Sequence, residues 1–541
     1  MKLNLPRISL TMPTVIVVCA LYFGTVMNYP VLHTLYGLSQ NVQDSLFFYS
    51  APLLLICAFT IIFSFVAWRY VFKPFMALVL ISSAAALYAE VNFHTLFDMS
   101  MMESVFETNS SEISFYTNAA STLYLIGFGL IPTVLLLLVK IKPQRSWKVA
   151  AISRVSLVVI AACGLSLVAA TQYKNYASVG RNNKYLNRMI IPGHIYSGVR
   201  YLDKLYFTKT LPYETQGTDA KVTATSNGKP TLMVIVLGET ARAMNFSDNG
   251  YGRNTQPYTQ SQGLISFQHV SSCGTYTALS VPCMFSNMNR TDYNKERAAT
   301  QDNVLNVMQH AGVKVLWIDN DGGSKGVADN LPHQSINNAL KDRDCNGSTC
   351  FDEVMLKKAQ TFINQDEQNK VLVLHTIGSH GPTYFQRYPT AHAPFQPACN
   401  RSDIENCSDQ EIKNVYDNTL VYTDYVLSQV ITELKGLSER YNVVMTYISD
   451  HGESLGENGL YLHGTPYSIA PKEQTHVPWL LWMPKQYAEQ KHLNIQCLQQ
   501  VAQKDSLSHD NLFHTLLGLY GISTTVDNEQ LDITHSCKQL S

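Results

Sequence analysis

The sequence predicts an α/β fold class in two parts: an N-terminal five-helix transmembrane domain, then a domain built on a mainly parallel sheet. Three observations predict it. Five apolar runs occur before residue 172 of the 541-residue chain. The loops that join these runs alternate between basic and free of Lys and Arg. From Thr231 onward, short apolar runs alternate with segments of helical spacing, as in sheets covered by helices on both faces.

Each of the five apolar runs approaches the roughly 20 residues that cross a bilayer core as a helix. The runs are Met12 to Asn28, Phe47 to Trp68, Phe75 to Val91, Ala119 to Val139 and Val155 to Ala170. The first run is not interpreted as a cleaved signal peptide, because no small-residue cleavage site stands out and four further runs follow.

The charges of the loops predict the topology. Lys2 and Arg7 precede the first run, Arg69 and Lys73 follow the second, and five basic residues lie between 140 and 154. The loops 29–46 and 92–118 contain neither Lys nor Arg. By the positive-inside rule the N-terminus is cytoplasmic, and five crossings place everything after residue 172 outside the cytoplasm. The alternative, that one run is a buried globular helix, would reverse this topology, but every loop agrees with five crossings.

A bridging segment is predicted between a transmembrane domain at 1–171 and a catalytic domain at 231–541. Residues 172–230 begin with Tyr interleaved with Lys and Arg, a mixture that suits a helix at the level of the lipid headgroups. An ordinary linker with solvated charges is the alternative interpretation. The stretch Gly217 to Pro230 is rich in Thr, Ser, Asn and Gly and predicts a flexible linker.

The cysteines indicate an oxidising compartment. Three of the 11, Cys19, Cys57 and Cys163, lie in predicted membrane helices, and the other eight lie beyond residue 172. An even set in the part predicted to be outside favours disulfides. Short spacings suggest Cys273–Cys283, Cys345–Cys350 and Cys399–Cys407, which leaves Cys497–Cys537, although spacing alone does not fix the pairing. A thiolate zinc site is the competing interpretation, but the chain has no Cys-x-x-Cys pair.

The C-terminal domain is predicted element by element. Its predicted strands are Thr231 to Leu237, Val313 to Ile318, Val371 to His375, Val443 to Ser449 and Val477 to Met483. Its predicted helices are Val304 to His310, a long helix from about Gln410 to Leu434 with Gly436 as its stop, and a closing helix capped by Ser508. Chemistry in such sheets gathers beyond the carboxyl ends of the strands.

Polar residues follow those strand ends. Glu239 follows the first strand, Asp450-His451-Gly452-Glu453 follows the strand that ends at Ser449, and His380 and His463 lie in loops nearby in sequence. A single Glu or His is commonly a helix-terminal charge or a satisfied core residue. Asp-His-Gly-Glu directly after an apolar strand is more specific, because adjacent ligands on a turn can face one ion. Carboxylates and imidazoles on one rim suit zinc.

A nucleophile is predicted between Cys273 and Cys283, where Thr275, Thr277 and Ser280 are all candidates. A helix that begins near Thr277 would offer free amides to a phosphate. A metal bound to the hydroxyl would make attack on phosphorus feasible near neutral pH. Lys325 is a candidate partner of a phosphoryl oxygen, although a lone lysine is more often a solvated loop charge.

Together these motifs resemble the lipid A phosphoethanolamine transferases of Gram-negative bacteria, particularly the mobile colistin-resistance type. The resemblance covers essentially the whole chain and implies an alkaline-phosphatase/sulfatase-like catalytic domain in the periplasm, anchored in the inner membrane. The residues that carry it are Val236 to Arg242, the Cys273 to Cys283 loop, Gly378 to Pro382, Ser449 to Gly456 and Leu462 to Gly464.

The resemblance implies roles for individual residues. Glu239, Thr277, Asp450 and His451 become ligands of one zinc ion, and Thr277 becomes the nucleophile in preference to its two neighbours. Lys325, His380 and His463 become contacts of the phosphoryl group or of a second, weaker metal, with His375 just behind them. The resemblance also supports the four disulfide pairs. Some relatives have Asn-Ser at Asp321-Gly322, so donor contacts from that loop are not carried over.

The implied reaction has two half-reactions. Thr277 attacks the phosphorus of phosphatidylethanolamine, and a phosphate of lipid A then takes the phosphoethanolamine group from the threonine. The added amine lowers the negative charge of lipid A and thus its affinity for cationic polymyxins such as colistin. His380 or His463 protonates the leaving alkoxide or guides the acceptor.

Other functions share the same residues. A membrane-anchored phosphodiesterase or phosphatase would use the same metal with water as acceptor. A phosphoethanolamine or phosphoglycerol transferase would act on a periplasmic glycan. A non-enzymatic membrane receptor is disfavoured by the intact ligand set and hydroxyl nucleophile. The net charge of -1 gives no electrostatic case for a nucleic-acid partner, and a monomer is expected.

Overall fold

The chain forms two compact units in a computed structural model. The structure describes residues 8–39, 46–108, 113, 116–207, 211–337, 339–341 and 343–538. One unit comprises Met1–Phe106 and Thr117–Thr208, and the other comprises Glu107–Tyr116 and Lys209–Ser541. Lys2 and Arg7, which the topology prediction uses, lie outside the described residues.

The first unit contains the predicted membrane helices. Four described helices are long and apolar enough to cross a membrane, and a pair bent by 57° makes five if it is one span. The four are Leu46–Phe65, Phe72–Phe93, Ala119–Leu138 and Trp147–Asn182, and the bent pair is Met12–Met27 with Tyr29–Ser39. All five overlap the apolar runs of the sequence. The two shorter helices Leu186–Met189 and Gly193–Phe207 follow.

The last long helix continues beyond its apolar run. It spans 36 residues and ends at Asn182, so the predicted boundary at residue 171 falls inside a continuous helix. The apolar run marks the part of a helix that suits lipid, whereas hydrogen bonding carries the helix on through polar residues. In helix Gly193–Phe207, Tyr196, Tyr206 and Phe207 are exposed, and contact of this segment with headgroups stays a prediction.

The predicted flexible linker Gly217 to Pro230 is wrong, because part of this stretch belongs to the second unit. Its residues Lys221–Val222 pair antiparallel with Ile522–Ser523, and Ala220 is buried in the core. At Gly217, where φ is +63°, a Cβ would lie 2.8 Å from the side chain of Val307. The burial of Ala220, the strand pairing of Lys221–Val222 and the close approach at Gly217 therefore hold this stretch in place. Its polar composition had predicted a flexible chain.

The second unit is built on a seven-stranded sheet of described residues. In chain order its strands are β1 (Thr231–Gly238), β2 (Ile265–Phe267), β3 (Lys314–Asp319), β4 (His333–Ser335), β5 (Lys370–His375), β6 (Asn442–Ser449) and β7 (Trp479–Trp482). Their order across the sheet is β2-β7-β6-β1-β5-β3-β4. The pairs from β6 to β4 are parallel, and β7 is antiparallel to both its neighbours. The mainly parallel prediction is confirmed, and the sequence missed the short edge strands β2 and β4.

Strands β1, β5 and β6 are buried at every residue, as expected for a sheet that helices cover on both faces. The described α-helices that follow β1 lie between residues 277 and 520. They are Thr277–Met284, Lys295–Ala298, Val304–His310, Val354–Ile363, Asp409–Leu437, Lys472–Thr475, Lys485–Gln490, Ile495–Lys504 and Leu512–Tyr520. Ser408 and Glu411 form a capping box at the start of the longest helix. Gly436 does not stop that helix, which ends at Leu437. Ser508 caps the short turn His509–Asn511 that precedes the closing helix.

The four disulfides of this unit are the pairs that the spacing suggested: Cys273–Cys283, Cys345–Cys350, Cys399–Cys407 and Cys497–Cys537. Cys19, Cys57 and Cys163 are free thiols in the helices of the first unit.

Candidate active site

The carboxyl ends of four adjacent parallel strands meet at one edge of the sheet. Ser449 of β6 pairs with Gly238 of β1, Leu237 of β1 with His375 of β5, and His375 with Asp319 of β3. The residues that follow these strands therefore come together, which is the physical basis of the predicted rim.

Glu239, Asp450 and His451 form the first cluster. Each is fully buried, and each offers a ligand atom within 4.8 Å of those of the other two. His451 Nε2 lies 3.4 Å from Glu239 Oε1 and 3.3 Å from Asp450 Oδ2. Carboxylate oxygens and one imidazole nitrogen make a borderline donor set that zinc favours.

The hydrogen bonds of His451 and Asp450 leave one acceptor atom of each side chain able to bind an ion. His451 Nδ1 lies 2.9 Å from the carbonyl oxygen of Gly452, to which it donates, so the Nε2 lone pair faces the carboxylates. Asp450 Oδ1 accepts from the backbone amides of Thr240 and His451, at 3.2 and 2.7 Å. Asp450 Oδ2 accepts no hydrogen bond from any described residue.

This arrangement fits a divalent cation. Burial, together with the charge of Glu239, raises the pKa of Asp450 well above its usual range. Burial also lowers the pKa of His451 to about 4, which keeps its imidazole neutral and able to bind a metal. Facing acceptors and an orphaned buried oxygen are costly unless a positive charge lies between them.

Thr277 presents its hydroxyl to this cluster. Its Oγ1 lies 3.2 Å from Glu239 Oε2 and 3.4 Å from His451 Nε2, and the residue begins the helix Thr277–Met284. The other two candidates are occupied elsewhere. Thr275 donates to the carbonyl oxygen of Thr465 at 2.7 Å, and Ser280 donates to that of Asp450 at 2.5 Å. The geometry thus favours Thr277 among the three hydroxyls that the sequence left open.

His463 and His380 lie beside the first cluster. The ring of His463 is 4.5 Å from that of His451 and 5.6 Å from that of His380. His463 Nδ1 lies 2.8 Å from Glu453 Oε2. The other oxygen of this carboxylate, Glu453 Oε1, accepts a hydrogen bond from Tyr384 OH at 2.5 Å. The sequence predicted no role for Glu453, although it belongs to the Asp-His-Gly-Glu motif. Burial lowers the pKa of His380 to about 3.

His375 lies in a second cluster, with Glu239 and Asp321. Glu239, Asp321 and His375 each offer one ligand atom within 4.8 Å of the others, and all three are buried. His375 Nδ1 lies 2.8 Å from Asp319 Oδ1. Neither Asp319 nor Asp321 was predicted as a site residue. Asp319 ends a buried strand and Asp321 lies just beyond it, which is the same signal that pointed to Asp450.

Lys325 lies in the loop after β3. Its Nζ is 3.4 Å from the carbonyl oxygen of Gly322, and it lines a surface depression with Pro282 and Ser286. Although burial raises the pKa of Asp319, bonding to His375 and the charges of His375 and Lys325 lower it overall. A contact between Lys325 and a phosphoryl group stays a prediction.

Two comparisons with protein families place this architecture. Residues 231–522 match the sulfatase family model, and residues 55–206 match that of the phosphoethanolamine transferases EptA/EptB. Fold and site thus define a sulfatase-like enzyme domain with a candidate metal site, in a chain that also has a membrane domain.

Comparisons with individual proteins narrow the class. Phosphoethanolamine transferase EptA of Escherichia coli K12 is 37% identical over the full length of both chains. Phosphatidylethanolamine transferase Mcr-1 of Escherichia coli is 37% identical over 84% of this chain and 85% of its own. The solved structure of lipooligosaccharide phosphoethanolamine transferase A from Neisseria meningitidis matches with a TM-score of 0.95 and 35% identity, covering 99% of this chain and 100% of that one.

The chain belongs to the phosphoethanolamine transferase family. It is an integral membrane protein whose C-terminal domain is periplasmic.

Proposed function

We propose that this enzyme transfers phosphoethanolamine from phosphatidylethanolamine to a phosphate of lipid A through a covalent phosphoethanolamine-threonine at Thr277. The observation that carries the proposal is the position of the Thr277 hydroxyl, 3.2 Å from Glu239 Oε2 and 3.4 Å from His451 Nε2. The Neisseria meningitidis relative is named for action on lipooligosaccharide, which supports a lipid A acceptor.

Glu239, Thr277, Asp450 and His451 are the proposed ligands of one zinc ion. When bound, zinc would lower the pKa of the Thr277 hydroxyl and neutralise charge on the phosphoryl oxygens. The protein itself aims the donors: the Gly452 carbonyl fixes the His451 ring, and two backbone amides fix the Asp450 carboxylate. The start of helix Thr277–Met284 adds a positive dipole beside the reacting phosphorus.

The histidines are the proposed acid and base. The bond of His463 Nδ1 to Glu453 holds the ring with Nε2 directed away from that carboxylate. In the first half-reaction, His463 or His380 takes the proton of the Thr277 hydroxyl, and the Thr277 oxygen bonds to phosphorus. The diacylglycerol oxygen leaves and receives that proton from the same histidine. In the second, a lipid A phosphate oxygen attacks the same phosphorus, and the threonine oxygen leaves. Ping-pong kinetics follow from this order.

The added amine is the basis of the proposed biological effect. Lipid A that carries phosphoethanolamine has less net negative charge and binds cationic polymyxins such as colistin less well. The protein is proposed to act as a monomer.

Mass spectrometry of lipid A tests the nucleophile. Cells that express the wild-type chain are expected to gain phosphoethanolamine on lipid A, and cells that express Thr277→Ala are expected to gain none. Thr291→Ala, an exposed threonine in a loop of the same domain, is the matched control and is expected to behave as wild type. Persistence of the modification in Thr277→Ala at wild-type level would remove Thr277 from the mechanism.

The same cells separate the alternative acceptors. If the wild-type chain releases diacylglycerol but leaves lipid A unchanged, the acceptor is water or a periplasmic glycan. Analysis of the glycan fraction then distinguishes a phosphodiesterase from a glycan transferase.

A further inference from the structure

The second cluster, Glu239 with Asp321 and His375, holds three acceptors that face one another. The three side chains are 0, 5 and 0% exposed, and their ligand atoms lie within 4.8 Å of one another. His375 Nε2 is 3.7 Å from Asp321 Oδ2 and has no hydrogen-bond partner among the described residues.

The orientation of His375 is fixed from its other side. Its Nδ1 lies 2.8 Å from Asp319 Oδ1, and Asp319 Oδ2 accepts the backbone amide of Gly323 at 2.6 Å. The indole of Trp317 packs edge-on against the imidazole, with ring centroids 5.4 Å apart. A histidine whose Nδ1–H is donated to a carboxylate, and whose buried Nε2 lone pair is aimed at other acceptors, has the arrangement of a metal ligand.

We propose that Glu239, Asp321 and His375 form a second divalent-cation site, which shares the Glu239 carboxylate with the first. One imidazole nitrogen and two carboxylate oxygens suit zinc. An ion bound there would also bind Glu239 and would thus position a ligand of the first site. Asp321 and His375 are therefore positioning residues. This inference goes beyond the proposed function, because it does not depend on which group is transferred.

Metal stoichiometry of the purified full-length chain tests the site. The protein is stripped with a chelator in detergent, loaded with Zn²⁺, passed through a desalting column and analysed by mass spectrometry for zinc per chain. We expect two equivalents for wild type, one for Asp321→Asn and one for His375→Gln. Asp450→Asn is also expected to retain one, and Glu239→Gln none, because Glu239 serves both sites.

Two controls keep the outcome interpretable. Asp329→Asn makes the same change at an exposed carboxylate in the same loop and is expected to keep two equivalents. Thermal unfolding of the metal-free forms identifies a variant that fails to fold, and the zinc-induced rise in Tm of each folded variant gives a second readout. One equivalent in wild type, or two in Asp321→Asn, would overturn the second site and leave the first unaffected.

Discussion

The candidate active-site rim and the interior side of the helix Asp409–Leu437 both bury carboxylates. They differ in the hydrogen-bond donors that surround those carboxylates. On the helix, Asp417 is fully buried, and each of its oxygens has a donor. Asn245 Nδ2 lies 2.6 Å from Oδ1, and Tyr251 OH and Arg253 NH1 lie 2.9 and 2.6 Å from Oδ2. In the rim, Asp450 Oδ2 has no donor among the described residues.

The difference separates scaffold from site. A buried carboxylate surrounded by donors is already stabilised, and removing it leaves its partners unpaired. A buried carboxylate that faces other acceptors gains its stabilisation from something the chain does not supply, such as a metal ion. Substitutions in the rim are therefore expected to lower activity with little change in stability. Substitutions at the donor-surrounded carboxylate are expected to lower stability with little change in activity.

Asp450→Asn is expected to have the largest effect, and on activity alone. Asn keeps an oxygen for the amides of Thr240 and His451, while its NH₂ replaces the metal-facing Oδ2. Transfer to lipid A is expected to fall by at least about 10³-fold, which corresponds to ~4 kcal/mol. The Tm of the metal-free protein is expected to stay within about 2 °C of wild type.

A large fall in the metal-free Tm of Asp450→Asn would contradict the comparison, because it would make Asp450 a scaffold residue like Asp417. The assay is transfer measured with full-length protein in detergent, beside thermal unfolding after treatment with a chelator.

Asp417→Ala is expected to have the next largest effect, on stability. It removes the acceptor of Arg253 and of Tyr251 in a buried network, which costs about 3–5 kcal/mol. Chemical denaturation of the full-length chain measures the loss, and kcat below the unfolding transition is expected to change little. Asp409→Ala, exposed in the first turn of the same helix, is the matched control and is expected to cost under about 1 kcal/mol.

The rim, one half of this comparison, was largely predictable from the sequence. Strand ends predicted the rim, because parallel β6, β1, β5 and β3 must finish at one edge, and Glu239 and Asp450 directly follow two of them. Choosing Thr277 over Thr275 and Ser280 needed the direction of each hydroxyl, which periodicity does not encode. The second cluster was missed because Asp321 and His375 are 54 residues apart and meet through β3–β5 pairing.

The donors of Asp417 were also beyond the sequence. Asn245, Tyr251 and Arg253 reach it from a loop more than 160 residues earlier in the chain. Two local predictions were also wrong: Gly436 as a helix stop, and a flexible linker from the polar composition of 217–230. Both failed because local propensity is a weak guide where tertiary packing decides.

Asp424, on the same helix as Asp417, gives the smallest and most specific test. Burial raises its pKa from the ordinary value of 3.8 to about 7, although Thr259 and the Tyr258 amide donate to it. Because the folded state then binds more protons than the unfolded state between these values, stability falls as pH rises through that window. Wild type is expected to lose about 2.5 kcal/mol of stability from this group between pH 5 and 8. Asp424→Asn, which carries no titrating proton, is expected to lose correspondingly less.

Tm measured against pH for full-length Asp424→Asn and Asp409→Asn checks this pH dependence. Parallel pH profiles for the two variants would show that the hydrogen bonds from Thr259 and Tyr258 offset the burial of Asp424.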